Sequence, residues 1–175
     1  MSSILGRMNN LSTPTFRIAT LQDLPTIVEI YNSTIAGRIV TADLEPVSIE
    51  DRTPWFYAHN ATRRPLWVME LDGTICGWIS LQDFYGRIAY AATAEVSIYL
   101  DESFRGRGLG KQAIQFVIEQ CPSLHIETLL GFIFGHNTPS IQLFKHFGFE
   151  QWGFYPQIAE LDGVKRDLAI LGKKI

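Results

Sequence analysis

Apolar and polar side chains alternate along Ala94–Leu100. Val96, Ile98 and Leu100 are apolar, and Glu95, Ser97 and Tyr99 stand between them. Successive side chains of a strand point to opposite faces, so this period of two predicts a strand with one polar face. Shortly after it, Leu109, Ala113, Val117 and Cys121 recur at a spacing of four, the stripe of an amphipathic helix. Upstream, Phe16–Ala19 predicts a first strand and Leu24, Ile27, Val28 and Tyr31 a first helix, entered through Thr20 to Asp23 and ended at Gly37. Ser48 with Asp51 predicts a capped second helix carrying Trp55, Phe56 and His59. Leu66–Leu71 and Thr74–Leu81 read as two strands joined by a tight Asp72-Gly73 turn.

Downstream, Pro122 stops the helical stripe and Glu127–Phe134 predicts another strand. Asn137 opens a helix with Pro139 in its first turn, Ile141 and Phe144 facing inward, and Gly148 at its end. Extended chain follows from Phe149, then an Asp162-Gly163 turn and a last strand over Val164–Leu171. The order β, α, α, three strands, then αβαβ and a final strand predicts an α/β (α+β) fold. Its core is a single twisted, mostly antiparallel sheet with helices on both faces. The N-terminal residues 1–15 read as a loose extension, and residues 16–175 as one domain.

Between the pivotal strand and helix lies Arg105-Gly106-Arg107-Gly108-Leu109-Gly110. The first N–H groups of a helix lack intrahelical partners and carry the positive end of its dipole, and glycines let an anion approach them. This turn is therefore a candidate cradle for a phosphate or pyrophosphate, with a plain tight turn as the alternative. It is not a P-loop, because Arg105 and Gln112 stand where that pattern needs Gly and Ser or Thr. Nor is it the dinucleotide GxGxxG, because Lys111 takes the third glycine's place.

Composition narrows the function. The chain has 175 residues, 46% of them hydrophobic, enough for a sizeable core. A net charge of −3 argues against a dedicated nucleic-acid binder. No apolar run reaches the roughly 18 residues of a membrane span, and the N-terminus lacks the sustained apolar core of a secretory signal. Cys76 and Cys121 have no metal-ligand spacing and read as buried free thiols in a reducing, cytoplasmic setting.

The Arg-x-x-Gly-x-Gly turn after a strand resembles the acyl-CoA pyrophosphate loop of the GCN5-related N-acetyltransferases. The resemblance extends over roughly Phe16 to Leu171. It narrows to the phosphinothricin and methionine sulfoximine acetyltransferases through Ala89-Tyr90-Ala91-Ala92-Thr93-Ala94-Glu95, Leu44-Glu45-Pro46, the Asn137-Thr138-Pro139-Ser140 helix start and the closing Asp-Gly hairpin. It implies transfer of an acetyl group from acetyl-CoA to the amine of a small amino acid or analogue, with no metal, in a homodimer. Two other readings stay open: a different amine (a polyamine, an aminoglycoside or a protein N-terminus), and a non-catalytic acyl-CoA sensor.

The resemblance also assigns roles. Glu95 is the general base, against the alternative of a Glu held in a structural ion pair. Backbone groups of Ile98, Tyr99 and Leu100 hold the pantetheine arm. Arg105, Gly106, Arg107, Gly108, Leu109 and Gly110 hold the pyrophosphate. Asn137 contacts the arm or simply caps its helix, and His146 lies near the phosphates. Arg87 and Tyr90 bind the acceptor's acid group, against a reading as surface residues. The aromatic run Trp55-Phe56-Tyr57 reads as helix packing rather than pocket wall. Two positions depart from relatives: Phe144 stands where many have a proton-donating Tyr, and Ala42 where some have a pocket-lining Phe, which implies a roomier acceptor pocket.

Overall fold

The structure is a computed structural model that describes residues 13–175. Seven strands and four α-helices follow in the expected order: β1 (Thr15–Ile18), α1 (Leu24–Ile35), α2 (Ile49–Tyr57), β2 (Leu66–Leu71), β3 (Thr74–Asp83), β4 (Thr93–Leu100), α3 (Leu109–Gln120), β5 (Thr128–Phe134), α4 (Thr138–His146), β6 (Glu150–Leu161) and β7 (Val164–Lys174). The extension expected at 1–15 lies outside the described residues up to residue 12, and Thr15 already belongs to β1.

The strands form one sheet in the order β1-β2-β3-β4-β5-β7-β6. Every pairing is antiparallel except β4 with β5. Those two are linked through α3, the crossover that a parallel pair requires. Both hairpins turn on an Asp-Gly pair with positive φ at each residue: Asp72 and Gly73 at 51° and 78°, Asp162 and Gly163 at 51° and 79°. Two consecutive left-handed residues match the twist of the flanking strands, which is why these dipeptides sit here.

The alternation of β2 divides the core. Trp67 and Met69 face one side with Ile79, Leu81, Val96 and the inner stripes of α3 and α4. Leu66 and Val68 face the other with Trp78 and α1. Helices α1 and α2 therefore cover one face and α3 and α4 the other. Ser48 caps α2 as expected: its hydroxyl accepts from the Asp51 N–H at 3.0 Å, and the Asp51 carboxylate accepts from the Ser48 N–H at 3.3 Å.

β4 and β5 pair over only three positions, Thr93↔Thr128, Ala94↔Leu129 and Glu95↔Leu130. β3 holds β4 over its whole length to Leu100, and β7 holds β5 to Phe134. The sheet is thus continuous at its outer ladders and split in the middle. Phe144 of α4 packs against β5 just where the split begins: a Cβ on Gly131 would lie 2.8 Å from its ring.

Candidate active site

The split creates an inner cleft enclosing about 660 Å³ of empty space. Its walls are β4 from Val96 to Leu100, Phe132 and Ile133 of β5, and Asn137, Ser140, Leu143 and Phe144 of the α4 segment. Backbone polarity is the cleft's main chemistry. The Asp101 N–H donates to the Cys76 carbonyl on β3 at 2.9 Å. Strand alternation then turns the backbone groups of Ser97 and Tyr99 toward β3 and those of Val96, Ile98 and Leu100 toward β5; the Glu95↔Leu130 pairing still engages the Val96 N–H, and beyond it Ile98 and Leu100 face the cleft with no β5 partner. Of the three residues expected to offer backbone contacts, Ile98 and Leu100 are so placed. Tyr99 instead contributes its side chain, on the opposite face of the sheet.

The cleft opens outward into a wider hollow of about 1020 Å³, lined by Arg105, Gly106, Gly108, Leu109, Gly110, Lys111 and His146. Gly106 and Gly108 have φ of 78° and 73°, and a Cβ on either would meet nothing within 4 Å. Space does not demand glycine there; the left-handed backbone does. Gly108 is the residue before α3 and provides no side-chain cap, so the first N–H groups of α3 face the hollow without an internal partner. Arg107 lies over the Phe104 ring at 5.2 Å, and Arg105 approaches Glu102 at 3.5 Å, both on the surface. Asn137 is buried, and its side chain accepts from the Ser140 N–H at 3.4 Å while lining the cleft.

On the other face of β4 lies a polar cavity of about 460 Å³. Ser80 and Gln82 of β3 stand opposite Ser97 and Glu95 of β4 in register, so two neighbouring strands present polar side chains side by side. Trp55, Trp78, Tyr31 and Tyr99 form aromatic walls, and Arg52 lines one end. Trp78 and Tyr99 stack with ring centroids 4.5 Å apart, and Trp55 meets Trp78 edge-on at 5.3 Å. Ser97 and Tyr99 line both this cavity and the inner cleft, so the split connects the two faces of the sheet.

Glu95 is half-buried and stands beside Gln82, which lines the polar cavity, one residue before the cleft wall begins at Val96. Burial pushes its carboxyl above the ordinary carboxylate range, and burial is the sole cause. Among the described residues it makes no salt bridge, so the alternative of a structural ion pair finds no partner. Nearby, His59 donates its Nδ1–H to the Trp55 carbonyl at 2.8 Å, because a carbonyl can only accept. Its Nε2 is then left to accept the Ser80 hydroxyl at 2.7 Å. Burial lowers the His59 pKa and keeps the ring neutral.

Three expectations fall differently. Arg87 and Tyr90 stand exposed on the segment between β3 and β4 and line none of these three cavities; Tyr90 instead packs on Phe84 and Tyr85. Trp55, expected to be packing, walls the polar cavity, whereas Tyr57 points to solvent at 65% exposure. Ala42 is exposed and lines none of the three, so its small size does not enlarge them. Arg52, Tyr31, Trp78, Ser80, Gln82 and Ser97 were not singled out by the sequence. The one local signal for them was the matched polar alternation of β3 and β4.

Among the described residues no group of His, Cys, Asp and Glu could hold a metal ion, and no helix is long and apolar enough to cross a membrane. Cys76 and Cys121 are free and buried, the latter pushed up to about 11 by burial.

Comparison with known proteins places these features. The pattern that defines the Acetyltransferase (GNAT) family matches residues 26–149. A Bacillus subtilis (strain 168) protein named "Putative phosphinothricin acetyltransferase" is 52% identical, over 92% of this chain and 99% of its own. The L-methionine sulfoximine/L-methionine sulfone acetyltransferase of Pseudomonas paraeruginosa is 31% identical, over 89% of this chain and 91% of its own. The crystal structure of a Sinorhizobium meliloti phosphinothricin acetyltransferase in complex with acetyl-CoA superposes with a TM-score of 0.87 at 28% identity, covering 93% of this chain and 89% of that one.

Proposed function

The chain belongs to the acetyltransferase (GNAT) family, and from that premise we propose that it moves the acetyl group of acetyl-CoA onto the amine of a small amino acid or analogue of the phosphinothricin or methionine sulfoximine kind, with Glu95 as general base. The observation that carries this reading is the position of Glu95. It is the last residue of β4 paired to β5, makes no ion pair among the described residues, and stands between Gln82 of the polar cavity and Val96 of the cleft wall.

The geometry supports a role for each group. The cleft-facing backbone groups of Ile98 and Leu100 suit an extended pantetheine arm entering between the strands. The glycine turn and the start of α3 suit the pyrophosphate, with Arg105, Arg107 and Lys111 adding charge and His146 at the rim. Asn137 suits the arm as well as its own helix. An amine is protonated at neutral pH and must lose a proton before it attacks. A carboxylate made more basic by burial is fitted to take it, directly or through a water. The nitrogen then bonds to the thioester carbon, the carbonyl oxygen takes up negative charge beside a β4 N–H, and the carbon–sulfur bond breaks to release the CoA thiolate. The bonded nitrogen sheds its second proton as the amide forms; Phe144 lines the cleft without a proton to give, so water relays a proton to the thiolate.

The polycation reading has little support, because the polar cavity offers aromatic rings, hydroxyls and an arginine rather than a cluster of carboxylates. A mere sensor would have no use for an unpaired buried Glu95. The exposed β6 side chains Trp152, Phe154, Tyr155 and Ile158, on an edge strand open on both faces, support a homodimer, which light scattering would detect. Two free buried thiols support a cytoplasmic setting.

The test is thiol release from acetyl-CoA across a panel of free amines: phosphinothricin, methionine sulfoximine, methionine sulfone, common amino acids, spermidine and an aminoglycoside. Turnover confined to the amino acids and analogues supports the reading. Turnover on the polycations alone sinks the substrate class and keeps the family chemistry.

A further inference from the structure

A serine and a histidine meet at the floor of the polar cavity. His59 stands two residues beyond the end of α2, and its ring meets that of Trp55 edge-on with centroids 4.8 Å apart. Both ring nitrogens are engaged in a fixed order: Nδ1–H on the Trp55 carbonyl at 2.8 Å, and Nε2 against the Ser80 hydroxyl at 2.7 Å. A hydroxyl has one proton and two lone pairs. The Ser80 proton is committed to His59, so the Ser80 oxygen offers the cavity only lone pairs. Ser80 lines the cavity while 2% exposed, which sets it at the floor rather than the rim. A hydroxyl with a ring base behind it, and a third group orienting that base, is an arrangement that draws a proton away from a reacting atom.

The pair lies close to Glu95. Alternation puts Ser80 and Gln82 of β3 on the same face of the sheet as Ser97 and Glu95 of β4. Ser80 and Glu95 are therefore diagonal neighbours across the ladder, roughly 7–8 Å apart, a span that one small amine between them can bridge. The other charged and titratable groups of this region are engaged elsewhere. Arg52 of α2 lies 4.6 Å from the ring centroid of Tyr31 on α1 and donates to Asp43 at 3.2 Å. Asp83 of β3 is held by Arg63 and Arg64, and Tyr99 of β4 stacks on Trp78. Among the described residues His59 has no ionic partner that would keep it charged, and burial holds its ring neutral and able to accept a proton.

We propose that Ser80 is a further catalytic residue, relaying the last proton of the acceptor amine to His59, the positioning residue behind it. The proposal rests on the acetyl-transfer reading given above and adds the second base that this reaction needs. An ammonium nitrogen that ends as an amide loses two protons. Glu95 takes the first, before attack. The second leaves after the carbon–nitrogen bond has formed, when the nitrogen carries a positive charge. It passes to Ser80 Oγ as the Ser80 proton passes to His59 Nε2. Ser80 remains a hydroxyl, and His59 becomes an imidazolium that keeps its Nδ1–H on the Trp55 carbonyl. The carbon–sulfur bond then breaks with its electron pair on the departing thiolate. Once the amide has left, the imidazolium returns its proton through Ser80 to water.

The experiment measures methionine sulfone acetylation from about pH 4 to 8 on the wild type, Ser80→Ala, His59→Gln and Glu95→Gln. Acetyl-CoA affinity and circular dichroism are recorded for each. Two groups that must both be deprotonated give log kcat/KM an acid limb with a slope of about two. The expected result is that slope in the wild type and a slope of about one in His59→Gln. Ser80→Ala and His59→Gln each lower kcat about 10²-fold, with acetyl-CoA affinity within about twofold of wild type. A merely structural role for His59 would lower the rate and leave the slope at about two, and that result overturns the proposal. So does wild-type kcat in Ser80→Ala. Nitrogen shifts of the labelled wild-type imidazole provide a readout that needs no variant. Nδ1–H with a bare Nε2 at neutral pH is expected, and Nε2–H overturns the relay. An acetyl group found on Ser80 by mass spectrometry, after incubation with acetyl-CoA alone, also overturns it by making Ser80 a nucleophile. If the wild type acetylates no amine, the acetyl-transfer reading falls and the relay with it. If amines turn over and Glu95→Gln is impaired while His59→Gln keeps the wild-type limb, the relay alone falls.

Discussion

Glu95 and Leu130 are the last residues to face each other across β4 and β5 before the two strands part. A parallel ladder normally continues while both strands last. Here β4 continues for five residues, Ile98 and Leu100 turning unpaired backbone groups to the cleft, and the final paired side chain is a half-buried carboxylate with no counter-ion among the described residues. Both are costly unless a ligand uses them, since unpaired strand N–H groups and desolvated charges lose the hydration they would have in water. In the proposed reaction the split sheet and the glutamate are two halves of one arrangement: one would receive a thioester, the other the proton of the attacking amine.

Replacing Glu95 with Gln keeps the shape and removes the base. General-base removal typically costs about 10² to 10⁴ in rate. Glu95→Gln is expected to lower kcat in that range while acetyl-CoA affinity, measured by calorimetry, stays within about twofold. Undiminished turnover would falsify the assignment of the base.

Two half-buried titratable groups next to residues of the polar cavity, Glu95 beside Gln82 and His59 on Ser80, act on stability with opposite sign. The Glu95 pKa is raised above 4.5 in the folded state. Between 4.5 and that higher value the folded protein binds more protons than the unfolded chain, so stability falls as pH rises through the window. Glu95→Gln is therefore expected to raise Tm at neutral pH, with the gain vanishing below the ordinary carboxylate range. The same raised value predicts that wild-type kcat/KM climbs with pH through an apparent pKa above 4.5.

His59 runs the other way, because its pKa is lowered from 6.5. Its contribution is fully present above 6.5 and is lost as pH falls through the folded value, where burying a charge opposes folding. Melting curves from about pH 4 to 8 on wild type, Glu95→Gln and His59→Gln separate the two. A His59→Gln protein with the wild-type slope between 5 and 6.5 would remove histidine from the account.

At the glycine turn, Gly108→Ala meets no steric obstacle but forces a Cβ into a left-handed residue at φ 73°. That conformation costs an ordinary residue roughly 1–2 kcal/mol. Urea unfolding should show a loss of about 1 kcal/mol. KM for acetyl-CoA should rise on the order of tenfold, about 1.4 kcal/mol, because relaxation of the turn misdirects the N–H groups at the start of α3. KM for the amine should barely move, since the turn lies on the other face of β4.

Local signals made much of this legible. The alternation of β4, the stripe of α3, the two Asp-Gly hairpins and the Ser48–Asp51 cap all depend on neighbours close in sequence, so their positions could be read directly. Glu95 was recognisable because its motif sits on the strand. Arg52 was not: its partners Asp43 and Tyr31 come from separate segments, and only packing of α2 over α1 makes them a network. Trp55 read as core for the same reason, since a helix's apolar face looks alike whether it meets another side chain or an open cavity. Arg87 and Tyr90 show the converse, being adjacent in sequence to the base strand and yet turned outward. The point where β4 leaves β5 was also hidden, because no single residue encodes the divergence of two strands.

Phe144 packs beside that divergence, and a role for it as the wedge that holds the strands apart can be tested. Phe144 is buried, lies edge-on to Phe149 with centroids 4.9 Å apart, and presses its ring where a Gly131 Cβ would stand. At 2.8 Å the added methyl of Gly131→Ala cannot be accommodated without moving the ring, which Phe149 and the α4 backbone hold. Overpacking of this kind costs about 1–3 kcal/mol. Phe144→Leu alone removes ring contacts and should also destabilise. Combined, the smaller side chain makes room for the methyl, so the double variant should be more stable than the sum of the single losses by roughly 0.5–2 kcal/mol. Since Phe144 also lines the cleft beside the free β4 backbone, Gly131→Ala should weaken acetyl-CoA binding and Phe144→Leu should partly restore it. Strict additivity in both unfolding and binding would mean that Phe144 does not hold the split open.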